Sequence, residues 1–161
     1  MFKLGLGLAA GIAVLASASA ASAQHRQAPD ESLHLVSVAG PDVHLRGTPT
    51  APDGGQVQLW WWHFWDANPG DDWNAAAYHV EIDCTALTRT ALRAEFYRDM
   101  QFSYGQAGSR IASPPAEPGT AARDLVRGAC EDWRDGEPFA SPTEAFEVAQ
   151  TYFSSREPDA P

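Results

Sequence analysis

The run Trp60-Trp61-Trp62-His63-Phe64-Trp65 constrains this chain more than any other segment. Along an extended strand successive side chains point to opposite faces. Trp60, Trp62 and Phe64 therefore fall on one face and Trp61, His63 and Trp65 on the other. One face can join a hydrophobic core, and the second then needs a cover of its own. Either a helix or loop of the same chain supplies that cover, or the rings form a platform for a sugar ring, a peptide or a partner subunit. Large exposed apolar patches mark interaction sites, so Trp61, His63 and Trp65 are the candidate ligand-binding residues. Alternation alone does not say which face is inside.

Around this strand the pattern is of short extended pieces followed by helices. Residues 24–32 are polar and read as a flexible N-terminal tail. Leu33, Leu35 and Val38 suggest a strand that stops at Gly40-Pro41-Asp42, all turn formers. Val43 to Arg46 is a second extended piece, and Gln56 to Asp66 carries the strongest strand signal. Tyr78 to Asp83 alternates with period two, which directs Tyr78, Val80 and Ile82 to the core. Leu87 to Tyr97 reads as one or two strands, although Ala91 to Glu95 also fits a helical turn. Residues 105–120 hold three glycines and three prolines and read as a loop. Thr120 can cap a helix running to about Ala129. Ser141, Pro142 and Glu144 form a capping box for a last helix, with Ala145, Val148, Ala149 and Tyr152 on its apolar face beside Phe146 and Phe153. The expected class is α+β: a small antiparallel β-sheet, a short helix near Cys130, and a C-terminal amphipathic helix packed on the sheet. Residues 33–154 would form one domain and 155–161 a flexible tail.

Lys3, the apolar run Leu4 to Leu15 and the small residues closing on Ala21-Ser22-Ala23 have the form of a secretory signal peptide over residues 1–23. The run is too short and too broken, by Ser17 and Ser19, for a membrane span, and none is expected in the mature chain. No cysteine near Ala23 can accept a lipid, so a periplasmic or secreted product is expected. In an oxidising compartment an even number of cysteines is normally paired. Cys84 and Cys130, the only two, allow one intramolecular disulfide, and their wide spacing matches neither a C-x-x-C dithiol nor a zinc knuckle. The formal charge of −10 makes nucleic acid a poor partner. Lys3 is the only lysine, so a mature chain has no lysine nucleophile.

His79, Glu81 and Asp83 sit at alternate positions, about 7 Å apart on one face of a strand. Such a set binds a divalent ion only with ligands from another element, and His63 is the obvious candidate. The same alternation also describes the solvent side of a half-buried strand. There is no G-x-S-x-G elbow. Acidic pairs such as Asp71-Asp72 and Glu131-Asp132 are inevitable among 21 acidic residues. No catalytic residue, metal ligand or cofactor is assigned.

Tyr78-His79-Val80-Glu81-Ile82-Asp83-Cys84, followed by Arg89, Tyr97, a Pro118-Gly119-Thr120 turn and Cys130, resembles the bacterial surface-adhesin protein E-like family over residues 56–133. The resemblance implies an antiparallel sheet with a helix packed against it, a disulfide joining Cys84 to Cys130, and no known catalytic activity. The family's founding member is a surface lipoprotein adhesin that binds host extracellular-matrix proteins and can dimerise. This chain departs from the pattern in lacking a lipidation cysteine, in the proline-rich loop Ser113 to Pro118, and in the capped C-terminal helix. The expected function is that of an exported non-catalytic binding domain engaging a protein or glycan. The alternatives are a structural envelope protein that self-associates as a homodimer, and a small metal-dependent hydrolase using His63, His79, Glu81 and Asp83.

Overall fold

The computed structural model describes residues 27–50, 56–131, 133 and 135–156. The segment 1–23, expected to be a signal peptide, and the residues beyond Arg156 lie outside them. Seven strands form one antiparallel sheet: β1 Leu33–Ala39, β2 Asp42–Arg46, β3 Gln56–Trp65, β4 Ala75–Asp83, β5 Thr88–Arg98, β6 Gln101–Ala107 and β7 Asp135–Phe139. Their spatial order is β6-β5-β4-β3-β2-β1-β7. Helix α1 spans Ala121–Cys130 and α2 spans Pro142–Ser155. Among the described residues no helix is long and apolar enough to cross a membrane.

This corrects the expected α+β class with its small sheet. The sheet has seven strands, and 45% of the described residues are strand against 20% in helix, so the described part is mainly β with two helices. Both edge strands lack the usual signals. β6 carries Gly105 in its interior and β7 contains Gly136 and Pro138, residues that weaken a strand and suit an edge. The β5–β6 hairpin turns on Asp99 and Met100, both with positive φ (49° and 61°). Two-residue hairpins of this kind ordinarily announce themselves with Asn-Gly or Asp-Gly. Here Asn74 braces the turn, its Nδ2 donating to Asp99 Oδ1 at 2.8 Å while Asp99 N donates to Asn74 Oδ1 at 2.9 Å. Past a bulge at Leu92 the loop takes over from β6, with Gly108 N, Ser113 N and Ala116 N donating to the carbonyls of Leu92, Arg89 and Leu87.

Register makes β3 the organising strand. Trp62 pairs with Leu45 and Ala77, and Phe64 pairs with Val43 and Ala75. The two rings are fully buried because the small Ala75 and Ala77 leave room beside them. α2 covers this face with Ala145, Phe146, Ala149 and Phe153, Phe146 meeting Phe64 edge-on at 5.4 Å. Val148 and Tyr152, expected inside, are 50% and 36% exposed, since the buried stripe turns one position toward Phe146 and Phe153. The cap is as expected at Ser141, whose Oγ accepts from Glu144 N at 3.2 Å. The Glu144 carboxylate accepts from Ala140 N at 2.6 Å.

On the opposite face Leu59, Val80, Ile82 and Val36 pack under Leu125, Val126 and Ala129 of α1. Thr120 caps that helix, and the Cys84–Cys130 disulfide joins its last residue to the end of β4, with the Cα atoms 5.7 Å apart. Beneath α1 lies Arg46, only 1% exposed, its Nη2 donating to Trp133 O at 2.9 Å. Gly128 allows this approach, because a Cβ there would sit 2.7 Å from Arg46 Nε.

The N-terminal stretch is described from Gln27 onward, and there Ala28 is buried. Its anchor is Glu95 of β5, a fully buried carboxylate that accepts from Gln27 N, Ala28 N, Arg93 Nε and Tyr97 OH at 2.7 to 3.1 Å. Burial alone would push its pKa up. The hydrogen bonds from Tyr97, Arg93, Ala28 and Gln27 outweigh burial and hold it below the usual carboxylate range.

Two outcomes follow for stability. Cys84→Ser should lower the unfolding free energy by about 2 to 5 kcal/mol, read as a shift in the urea midpoint. A group with a depressed carboxyl pKa stabilises the fold above its unfolded value, and that stability is lost as pH falls. Glu95→Gln should therefore cost about 1 to 3 kcal/mol at neutral pH and flatten the decline in melting temperature below pH 4.5, the group's ordinary value.

Candidate functional site

A ten-residue helix is about 15 Å long, whereas a ten-residue strand runs about 33 Å. α1 is tethered at the Cys84 end and covers only the part of its face around Leu59, Val80 and Ile82. Beyond Trp61 and Tyr78, which stand at the margin of that core, no helix among the described residues covers the face. There the outward positions of β2 to β6 carry His44, His63, Trp65, Phe96 and Tyr104, with Asp42, Ala76 and Ala94 between them.

The rings join edge to edge across these strands. Trp65 meets His63 (centroids 5.0 Å) and His63 stacks on His44 (4.5 Å, planes at 22°). His44 abuts Trp61 (5.6 Å), and Trp61 abuts Tyr78 (5.5 Å). Tyr78 then meets Phe96 edge-on at 6.3 Å, and Phe96 packs with Trp73 (4.8 Å) and Tyr104 (5.9 Å). Trp61, His63, Trp65, Trp73, Tyr78 and Phe96 are all half-buried, and Tyr104 is exposed. Two hollows open beside Tyr78. One, of about 250 Å³, is lined by Trp61, Tyr78, Arg89, Ser109, Ile111 and Ser113 among others. The other, of about 370 Å³, is lined by Pro41, Asp42, His63, Trp65, Asp66 and Tyr78.

Polar groups are set into the aromatic belt. Asp42 pairs with Trp65 and His44 with His63 across β2 and β3, which brings Asp42 Oδ1 within 2.6 Å of His63 Nε2. Burial pushes His44 down to about 4; the neighbouring His63 adds to that shift and Asp42 opposes it. Among the described residues, His44 Nδ1 and Trp61 Nε1 are buried with no hydrogen-bond partner. The Arg89 guanidinium lies 5.5 Å over the Trp61 ring. Burial also raises the Tyr78 hydroxyl. Such a face can stack on flat or apolar ligand surfaces and offer hydrogen bonds at its rim.

The candidate residues Trp61, His63 and Trp65 thus stand together on the open face. The metal constellation does not assemble. His79, Glu81 and Asp83 project from the other face of β4, so His63 cannot join them. His79 stacks on Trp60 at 5.1 Å, Glu81 accepts from Gln58 Nε2 at 2.9 Å, and Asp83 Oδ1 caps the turn at Thr85 N and Ala86 N. Among the described residues no group of three His, Cys, Asp or Glu side chains could hold a metal ion. Asp42, His44, Trp73, Phe96 and Tyr104 are the partners that sequence reasoning did not bring to this face. The alternation Asp42-Val43-His44-Leu45-Arg46 was a usable signal for the first two, since Val43 and Leu45 point to the core.

A histidine whose folded pKa is depressed binds fewer protons folded than unfolded, so stability rises with pH through that window. Stability should be complete above 6.5, His44's ordinary value, and should fall as pH drops toward about 4. His44→Gln should remove up to about 3 kcal/mol of that dependence, seen as a flatter curve of melting temperature against pH.

Comparison with known proteins places no relative beside this chain: no family model, no curated protein and no solved structure matches it.

Proposed function

We propose that the chain is an exported, non-catalytic binding domain that takes a glycan or protein partner on the open half of its aromatic face. The observation that carries this reading is the belt of rings from Trp65 to Tyr104. It crosses five strands with no helix over it among the described residues, while α2 and α1 cover the two apolar clusters elsewhere on the sheet. Aromatic rings give large contact area at low entropic cost, and Tyr and Trp add a polar tip suited to a wet interface. Export is supported by the signal-like segment at residues 1–23 and by the disulfide, which belongs with oxidising compartments. The resemblance of Tyr78 to Cys84 and of Cys130 to the surface-adhesin protein E-like family supports a binding role in the envelope or outside the cell.

Acrylamide quenching of the tryptophan emission tests the surface directly. Strong quenching that falls in Trp65→Ala is expected, because Trp62 is shielded and Trp65 is not. In a screen of envelope polysaccharides and matrix proteins, Trp65→Ala and Tyr104→Ala should each weaken a hit roughly tenfold, about 1.4 kcal/mol, with unchanged melting temperature. Weak quenching in the parent protein, with both variants destabilised, would mean that the rings are core and the role is structural.

A further inference from the structure

The hollow at the Trp65 end of the belt has a chemistry of its own. Trp65 and His63 stand on β3 with their planes at 44°, so they form a corner and not a flat wall, and Tyr78 of β4 closes a third side. The residue paired with His63 on β4 is Ala76, whose small side chain is fully buried beneath the neighbouring rings. Two carboxylates complete the lining. Asp42 is held in place by the His63 imidazole. Asp66 is exposed at the rim, its position fixed by its own N–H donating to Pro41 O at 3.0 Å. Among the described residues no lysine or arginine lines the hollow.

Aromatic faces carry negative electrostatic potential, and rings set at angles around a small space attract weakly hydrated cations. Two carboxylates reinforce that potential and repel anions. Among the described residues no three His, Cys, Asp or Glu side chains are grouped to hold a metal ion. A neutral sugar can stack on Trp65 and donate hydroxyls to the acids, but only a cation is attracted by the rings and by both carboxylate charges together. We infer that this hollow binds a methylated ammonium group, as found in a choline-type solute or headgroup, with Trp65, His63 and Tyr78 as the cage and Asp42 and Asp66 as counter-charges. The inference rests on the reading of the open aromatic face as a ligand surface and names the ligand class for one end of it.

The test is titration of the purified protein with choline at low salt and about pH 8, where an ordinary imidazole is neutral, followed by tryptophan emission and calorimetry. The comparison ligand is dimethylbutanol, choline's uncharged carbon isostere. Choline should bind at least tenfold more tightly than the isostere. Trp65→Ala should abolish that binding and Trp65→Phe should retain part of it. Asp66→Asn should weaken it several-fold at an unchanged melting temperature, and Val148→Ala, on the exposed side of α2 and away from the belt, should leave it intact. Phosphatidylcholine vesicles separate the two sources: co-sedimentation competed by choline identifies a headgroup, and choline binding without vesicle binding identifies a solute. Equal affinity for choline and its isostere, or choline binding indifferent to both Trp65→Ala and Asp66→Asn, overturns the inference. If choline fails while a glycan or protein binds in a Tyr104-dependent way, the ammonium site is wrong and the binding-domain reading stands; if neither binds, both fall.

Discussion

A central strand with large rings on both faces offers two apolar surfaces to be covered, and in this protein the two covers are unequal. α2 seals Trp62 and Phe64 completely. α1, short and fixed at one end by Cys130, seals only the part of the other face near the disulfide. The open aromatic belt is therefore the remainder left by a mismatch between helix length and strand length. The position of the cysteines decides where that remainder lies, because pairing with Cys84 draws α1 toward the β4 C-terminus and away from Trp65. Fold and candidate site have the same cause.

Buried polar groups hold the parts in register around that arrangement. Glu95 and Arg46 are charged groups with almost no exposure, and a buried charge persists only when its hydrogen-bonding capacity is met. Glu95 gathers two backbone amides and two side chains, so the N-terminal stretch, β5 and the α2 face of the sheet are mutually located. Arg46 does the same under α1, reaching the carbonyl of Trp133 just past the helix. Groups of this kind favour one docking of the helix over nearby alternatives, since a shifted helix would strand the charge.

Legibility in the sequence followed the strength of local signals. The division of Trp60 to Trp65 into two faces, the α1 and α2 caps, and the Cys84–Cys130 bond were readable because strand alternation, capping residues and a single possible pairing each point one way. The size of the sheet was not. β6 and β7 are edge strands whose residues are chosen for turns and solvent, and the Asp99-Met100 turn takes positive φ without glycine, held by an asparagine 25 residues away. The candidate site was half readable: alternation put Trp61, His63 and Trp65 together. Which face lay open depended on how far α1 reaches, a tertiary property. The tempting set His79, Glu81, Asp83 and His63 failed for a plain reason, because antiparallel register places His63 opposite Ala76 and on the face that His79 avoids.

The element that seals Trp62 and Phe64 lies 78 residues and more downstream of them, beyond every strand of the sheet. While the chain is being made, β3 has neither cover, and it acquires its full complement of neighbours only when the C-terminal helix arrives. Contacts this distant in sequence form slowly, and an aromatic strand without its partners is a seed for association between chains. Truncation before Ser141 would thus do more than remove a surface helix: it would bare Trp62 and Phe64 on a sheet whose other side already carries the aromatic belt, and rings on both sides would direct the unfinished molecule toward its own copies.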